Sequence, residues 1–205
     1  MANKKISELT PKGSALSATD LLEVSVDAGG GTYTTASITG QEIKDFAGGS
    51  GNPSVISASY VNGTTVTGTL LETSSVSLLV PANTFTNGML EVICRITKTG
   101  TSGTSGIRIY KNTSNTLVGA TLIAGSTGYS ATTIFSQVIR TFRINTNVLT
   151  GYGATSPTTS DYNTVGTAIS TTFTTSVDNY IIFAITLSSL TDSANISMAR
   201  LTQYA

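Results

Sequence analysis

The sequence predicts a mainly β chain: a small N-terminal β-hairpin with a short helix, then an antiparallel, jelly-roll-like β-sandwich. Three observations predict it. Only 11% of the 205 residues are charged, against about a quarter in an ordinary globular chain, and Thr, Ser and Gly fill the polar positions. Apolar and polar residues alternate with the two-residue period of half-buried strands through most of the chain after Ser54. No stretch after the linker shows helical periodicity, and turn residues punctuate the strand-like runs.

The elements follow in order. Thr19 to Val26 alternates around Leu22, Val24 and Val26, Asp27 to Gly31 forms a glycine turn, and Tyr33 to Ile38 is again strand-like, so a hairpin is predicted. Thr39 then offers an N-cap with Glu42 three residues on, and Ile43 and Phe46 supply an apolar stripe before Gly48, which predicts a short helix. A module of residues 1–48 without disulfides buries too little surface to stand alone and needs a surface to dock on. Residues 49–53, Gly-Ser-Gly-Asn-Pro, carry no side chain able to join a core and read as a linker.

Residues 54–205 form the second domain. Leu90, Val92, Cys94 and Ile96 alternate with Glu91, Ile93, Arg95 and Thr97. Strand-like runs also occupy 66–71, 76–80, 107–110, 121–124, 133–144, 164–174, 180–187 and 196–201. Asn62-Gly63 and Asn87-Gly88 suit tight hairpin turns, and Gly100 to Gly106 suits a longer hairpin loop, so antiparallel pairing is expected. Many short strands find cover either in two stacked sheets of the jelly-roll kind or in a small barrel.

Composition excludes several function classes. Eleven basic residues balance eleven acidic ones, leaving no basic surplus for nucleic acid. The residues after Met1 lack the apolar run of a signal peptide, and no stretch has the roughly 20 apolar residues of a membrane span. With no histidine in the chain, a base poised near neutral pH is missing. After the linker the acids are Glu72, Glu91, Asp161, Asp178 and Asp192, scattered among different runs, so no carboxylate pair is predicted and the chain is read as no enzyme.

The remaining candidates have plain structural readings. Cys94 sits in the apolar register of its strand and reads as core filler; being the one cysteine, it has no partner for a metal or redox site. Asp161, Asp178 and Asp192 read as solvated loop acids rather than a calcium site, so no metal or cofactor is expected. Tyr110, Tyr129, Tyr152 and Tyr162 fall at strand ends or in loops, where a flat apolar ring with a hydroxyl suits a receptor contact. Packing at subunit contacts or over the sandwich ends is the competing role for each. Low surface charge gives little repulsion between copies, which favours a homo-oligomer that covers its strand edges.

The opening Ile-Ser-Glu-Leu at residues 6–9, the Thr-Asp-Leu-Leu-Glu-Val at 19–24, the glycine turn and the Tyr-Thr-Thr-Ala-Ser-Ile at 33–38 resemble the N-terminal anchor of phage tail-fibre and head-fibre proteins. The lysine usual in the second strand of that pattern is missing here. Residues 80–112 resemble the β-sandwich modules at the distal ends of phage fibres and in particle decoration proteins. The resemblance implies an exposed, usually trimeric particle appendage on the exterior of the virion. It also implies that Ile6, Leu9, Leu21, Leu22 and Val24, with Ile43 and Phe46, seat the anchor on a capsid, portal or tail component. Two functions follow as expectations: a fibre that attaches to a bacterial surface glycan or protein, or a head-fibre or capsid decoration protein with a mainly structural role.

Overall fold

The computed structural model describes residues 21–27, 33–39, 53–130, 133–152 and 168–204. Every regular element among them is a strand. The chain divides into two compact units, Met1–Asn52 and Pro53–Ala205. The predicted helix, and with it Ile6, Leu9, Ile43, Phe46 and Tyr162, lies outside the described residues.

In the first unit β1 (Leu21–Asp27) pairs antiparallel with β2 (Tyr33–Thr39). The ladder sets Leu22 opposite Ile38, Val24 opposite Ala36 and Val26 opposite Thr34. These positions share one alternation of the ribbon, and Leu21 falls in the other. The predicted hairpin is therefore present, in the register that its apolar alternation favours.

The second unit is an antiparallel β-sandwich. Its strands are β3 (Ser54–Ser59), β4 (Val66–Thr67), β5 (Thr73–Val80), β6 (Asn87–Thr99), β7 (Ser105–Asn112), β8 (Thr121–Tyr129), β9 (Thr133–Asn145), β10 (Val148–Tyr152), β11 (Ala168–Thr172), β12 (Asn179–Leu187) and β13 (Ser193–Tyr204). A seven-stranded sheet runs β11-β10-β9-β6-β13-β3, with β4 also on β13, and a four-stranded sheet runs β5-β12-β7-β8. The chain crosses from one sheet to the other after β4, β5, β6, β8, β11 and β12, which gives the jelly-roll-like character. Two separate sheets, not a closed barrel, are the arrangement.

The alternating residues meet between the sheets. Leu90, Val92, Cys94, Ile96, Phe142 and Leu201 enter the core from the larger sheet, and Ile107, Ile109, Phe183 and Ile185 from the smaller one. Each of these side chains is almost wholly removed from water. Burial of that kind stabilises by about 1.5–3 kcal/mol per large apolar side chain. Phe85 and Phe173 close one end of the core edge to face, their ring centroids 6.3 Å apart.

The expected turns differ from those observed. Asn87-Gly88 begins β6 instead of closing a hairpin, and the two residues pair with Asn145 and Ile144. The tight turn lies between β9 and β10, where Thr146 (φ 47°) and Asn147 (φ 63°) take both positive-φ positions of a two-residue type I′ hairpin. Gly100 to Gly106 closes no hairpin either, because β6 and β7 belong to different sheets and the loop between them carries the chain across. Asn62-Gly63 also bridges the sheets: Gly63 N–H donates to the Ile196 carbonyl at 2.8 Å and Thr64 N–H to the Ser75 carbonyl at 2.9 Å. A Cβ on Gly63 would collide with the Val76 side chain and the Ser75 carbonyl, so close backbone approach accounts for the glycine. The run predicted over 66–71 is a strand only at Val66–Thr67, since Gly68 (φ 66°) turns the chain away.

Candidate functional site

The site grows from the register of β6, β9, β10 and β13. Phe142 and Ile144 of β9 are buried in the core, so Thr141 and Arg143 take the opposite, outer face of the seven-stranded sheet. Arg143 is paired with Met89 on β6 and with Thr150 on β10, and Met89 is paired in turn with Tyr204 on β13. Tyr152 ends β10 and is 43% exposed. Met89, Thr141, Arg143, Thr150, Tyr152 and Tyr204 line an open groove of about 820 Å³.

Arg143 is exposed, and none of the ion pairs among the described residues uses it; these are Lys98–Asp192, Arg108–Glu72 and Arg200–Glu91. The groove thus combines a guanidinium, two phenol rings, a thioether and two threonine hydroxyls. Such a set can stack on a flat apolar face and donate or accept hydrogen bonds. Among the described residues that line it there is no carboxylate, thiol or amine.

The predicted tyrosines do not converge. Tyr110 is half-buried on the outer face of the four-stranded sheet, opposite Ile182, which is 1% exposed. Burial, and then the neighbouring Glu72, raise the Tyr110 pKa, so its phenol lies against the Arg108–Glu72 pair as part of a cover over Ile182. Tyr129 packs against the core at the end of β8 and donates its hydroxyl to Ser126 Oγ at 2.8 Å. Of the three described, Tyr152 is the one in the groove.

The expectation of solvated loop acids fails at Asp192. This residue is fully buried and sits 2.8 Å from Lys98 Nζ, itself fully buried. Ser102 N–H (3.1 Å) and Gly103 N–H (2.9 Å) donate to its two carboxylate oxygens, and Lys98 also donates to the Gly100 carbonyl at 2.6 Å. The hydrogen bond from Lys98 and those two backbone donors hold the Asp192 carboxyl below the usual carboxylate range. Lys98 continues the inward alternation of β6, so an ion pair fastens the crossing loop to the start of β13. Gly100 (φ 102°) is required there, because a Cβ would strike the Asp192 carboxylate.

Asp178 is exposed before β12 and accepts from Ala82 N–H at 2.9 Å. The nine residues of β12 separate it from the Asp192 loop by roughly 30 Å. Asp161 lies outside the described residues. Glu72 and Glu91 pair with arginines on the outer faces of opposite sheets. Cys94 is wholly buried, and burial pushes its thiol up to about 12, as expected of core filler.

No protein-family model matches the chain, and no curated protein matches it. Among solved structures it is similar to the CBM2 module of the evolved Dit of Lactobacillus casei BL23 phage J-1, at 10% identity and a TM-score of 0.33, over 63% of this chain and 70% of that one. It is also similar to a chain in the structure of infectious bursal disease virus, Gx strain, at 9% identity and a TM-score of 0.26, over 91% of this chain and 47% of that one.

Proposed function

We propose that the chain is a non-enzymatic structural protein of a bacteriophage particle, held by residues 1–48 and presenting the sandwich outward for attachment to the host surface. The observation that carries this reading is the groove around Arg143 and Tyr152: its described residues offer rings, hydroxyls and a cation for recognition, and no carboxylate is among them. The four described carboxylates of the sandwich are all engaged elsewhere, by Arg108, Arg200, Lys98 and a backbone amide. Attachment through many copies would draw its strength from avidity. The copies would self-associate, as the homotrimer that the resemblance implies; association itself, not its stoichiometry, is supported by the uncharged segment 60–71, where Tyr60, Val61 and Leu71 are 67%, 72% and 77% exposed.

A second reading, a head-fibre or capsid decoration protein with a structural role, is favoured by Tyr110 and Tyr129, whose rings pack within the chain instead of facing solvent. The anchoring half of both readings is tested by deleting residues 1–48. The truncated chain is expected to remain folded, with the β-sheet circular dichroism and cooperative melt of the sandwich, and to be missing from purified particles. Truncated chain that still enters particles at the normal copy number would sink the anchor assignment.

A further inference from the structure

Three non-glycine residues have positive φ among the described residues: Asn83 (62°), Thr146 (47°) and Asn147 (63°). They come from two separate connections, β5 to β6 and β9 to β10, yet all three line one pocket of about 300 Å³ at the end of the sandwich. Asparagine tolerates the left-handed region, but a β-branched threonine there is an outlier, and glycine would fit the same turn without strain. The hairpin therefore keeps a hydroxyl-bearing side chain at a conformational cost. Strain concentrated in this way is a mark of ligand sites.

The pocket wall is fixed in advance. Asn147 Oδ1 accepts from both Thr175 N–H and Thr175 Oγ1 at 2.8 Å, Asn83 N–H donates to the Thr175 carbonyl at 2.6 Å, and Phe173 N–H donates to the Asn147 carbonyl at 2.7 Å. Phe85, 2% exposed, adds an apolar surface. The side chains of Asn83, Thr86 and Asn87 are exposed and make no hydrogen bond with a described residue, which leaves two amides and a hydroxyl for a ligand; the Thr146 hydroxyl donates to Asn145 Oδ1 at 3.1 Å and keeps its lone pairs to accept from one. Each of those first three groups both donates and accepts, as a sugar hydroxyl does. None of the described residues that line the pocket is charged, so among them a charged ligand would lose hydration without gaining a partner. The volume lies at the low end of the ~300–1,000 Å³ range of small-molecule sites, which suits one ring and not a chain. Asn87 also lines the groove, so a longer ligand can continue from the pocket toward Tyr152.

We propose that this end pocket binds one ring of a neutral saccharide, held by Asn83, Thr86, Asn87 and Thr146; the proposal rests on the attachment reading and names its ligand class. The test uses the full chain in saturation-transfer NMR with glucose, galactose, rhamnose, N-acetylglucosamine, maltose and lactose, and glucuronate as the charged control. Asn83→Gly and Thr146→Gly remove the side chains while accommodating the positive φ, so both variants fold with an unchanged or higher unfolding midpoint. At least one neutral sugar is expected to bind the native chain, and each variant to weaken it about three- to tenfold, the value of one hydrogen bond. A panel in which no neutral sugar binds, glucuronate binding tighter than every neutral sugar, or binding unchanged in both variants would overturn the proposal. Particles carrying both glycine substitutions separate it from the attachment reading: if they adsorb normally while an antibody to the sandwich blocks adsorption, the pocket assignment fails and attachment stands.

Discussion

Phe142→Ala and Arg143→Ala put the register under the groove to a quantitative test, because these neighbours on β9 face opposite ways. Phe142 is 1% exposed, belongs to the core, and fills the space where a Cβ on Gly151 would lie. Truncating it forfeits the transfer energy of a buried aromatic ring and leaves a cavity that the stacked sheets only partly close, a loss of about 3–5 kcal/mol. In a unit of roughly 150 residues each kcal/mol moves the midpoint by about 2–4 °C, so a fall of about 6–20 °C follows. Arg143 is exposed and unpaired among the described ion pairs, so its truncation changes stability by no more than about 0.5 kcal/mol. Calorimetric melts of the two variants beside the native chain measure the difference. Equal midpoints for the two variants, or a larger loss for Arg143→Ala, would refute the assignment of faces on β9 and with it the groove.

Other perturbations test the rest of the framework. Gly63→Ala drives a methyl into Val76 and the Ser75 carbonyl and is expected to cost about 1–3 kcal/mol in urea titrations, whereas Gly119→Ala, with open space around it and only its positive φ (74°) to oppose it, costs less. The Asp192 carboxyl has a folded pKa below its unfolded value of about 3.9, so its stabilisation is fully present above that value and is lost as pH falls through the lower folded pKa. Melts from pH 7 to 2 should therefore show native stability dropping below about pH 4 more steeply than that of Asp192→Asn; parallel curves would contradict the buried pair. Cys94, with its thiol pushed up to about 12, should resist a water-soluble disulfide reagent at pH 8 in the native state and react fully in denaturant. Stoichiometric labelling of native protein would place the thiol outside the core.

Much of the fold was legible wherever strand alternation was unbroken. Leu22, Val24 and Val26 before a glycine turn announced the first hairpin, and Leu90 to Ile96 announced the inner face of β6. The local pattern could not announce Lys98, because a charged residue at an inward position reads as the end of a strand unless its partner is known. That partner, Asp192, lies 94 positions further along the chain. Turn templates favoured Asn-Gly, and the observed type I′ turn uses Thr146 and Asn147. Which sheet a strand joins depends on distant pairing, so the Gly100 to Gly106 segment looked like a hairpin although it crosses between sheets.

The groove was less legible for the same reason. Its walls come from β6, β9, β10 and β13, which become neighbours only through pairing across the whole domain. Tyr204 lies beyond the run predicted over 196–201, and the irregularity between Ile196 and Met198 hides which face it takes. Ala194 and Ile196 face the core before it and Ala199 and Leu201 after it, so the alternation changes parity and places Tyr204 beside Met89 on the outer face. A strict two-residue count from Ile196 would have buried that tyrosine. Tyr110 and Tyr129 were recognised as candidate contacts from their positions near strand ends, and the fold uses both as packing groups.

The central claim, an outward-facing attachment domain on a phage particle, is tested most directly by electron microscopy of particles labelled with an antibody to residues 54–205, combined with an adsorption assay using the same antibody. The account predicts label on the particle exterior and blocked adsorption to host cells. Label over the head with normal adsorption would contradict the attachment role and leave a structural appendage, and particles that take no label would contradict the virion assignment itself.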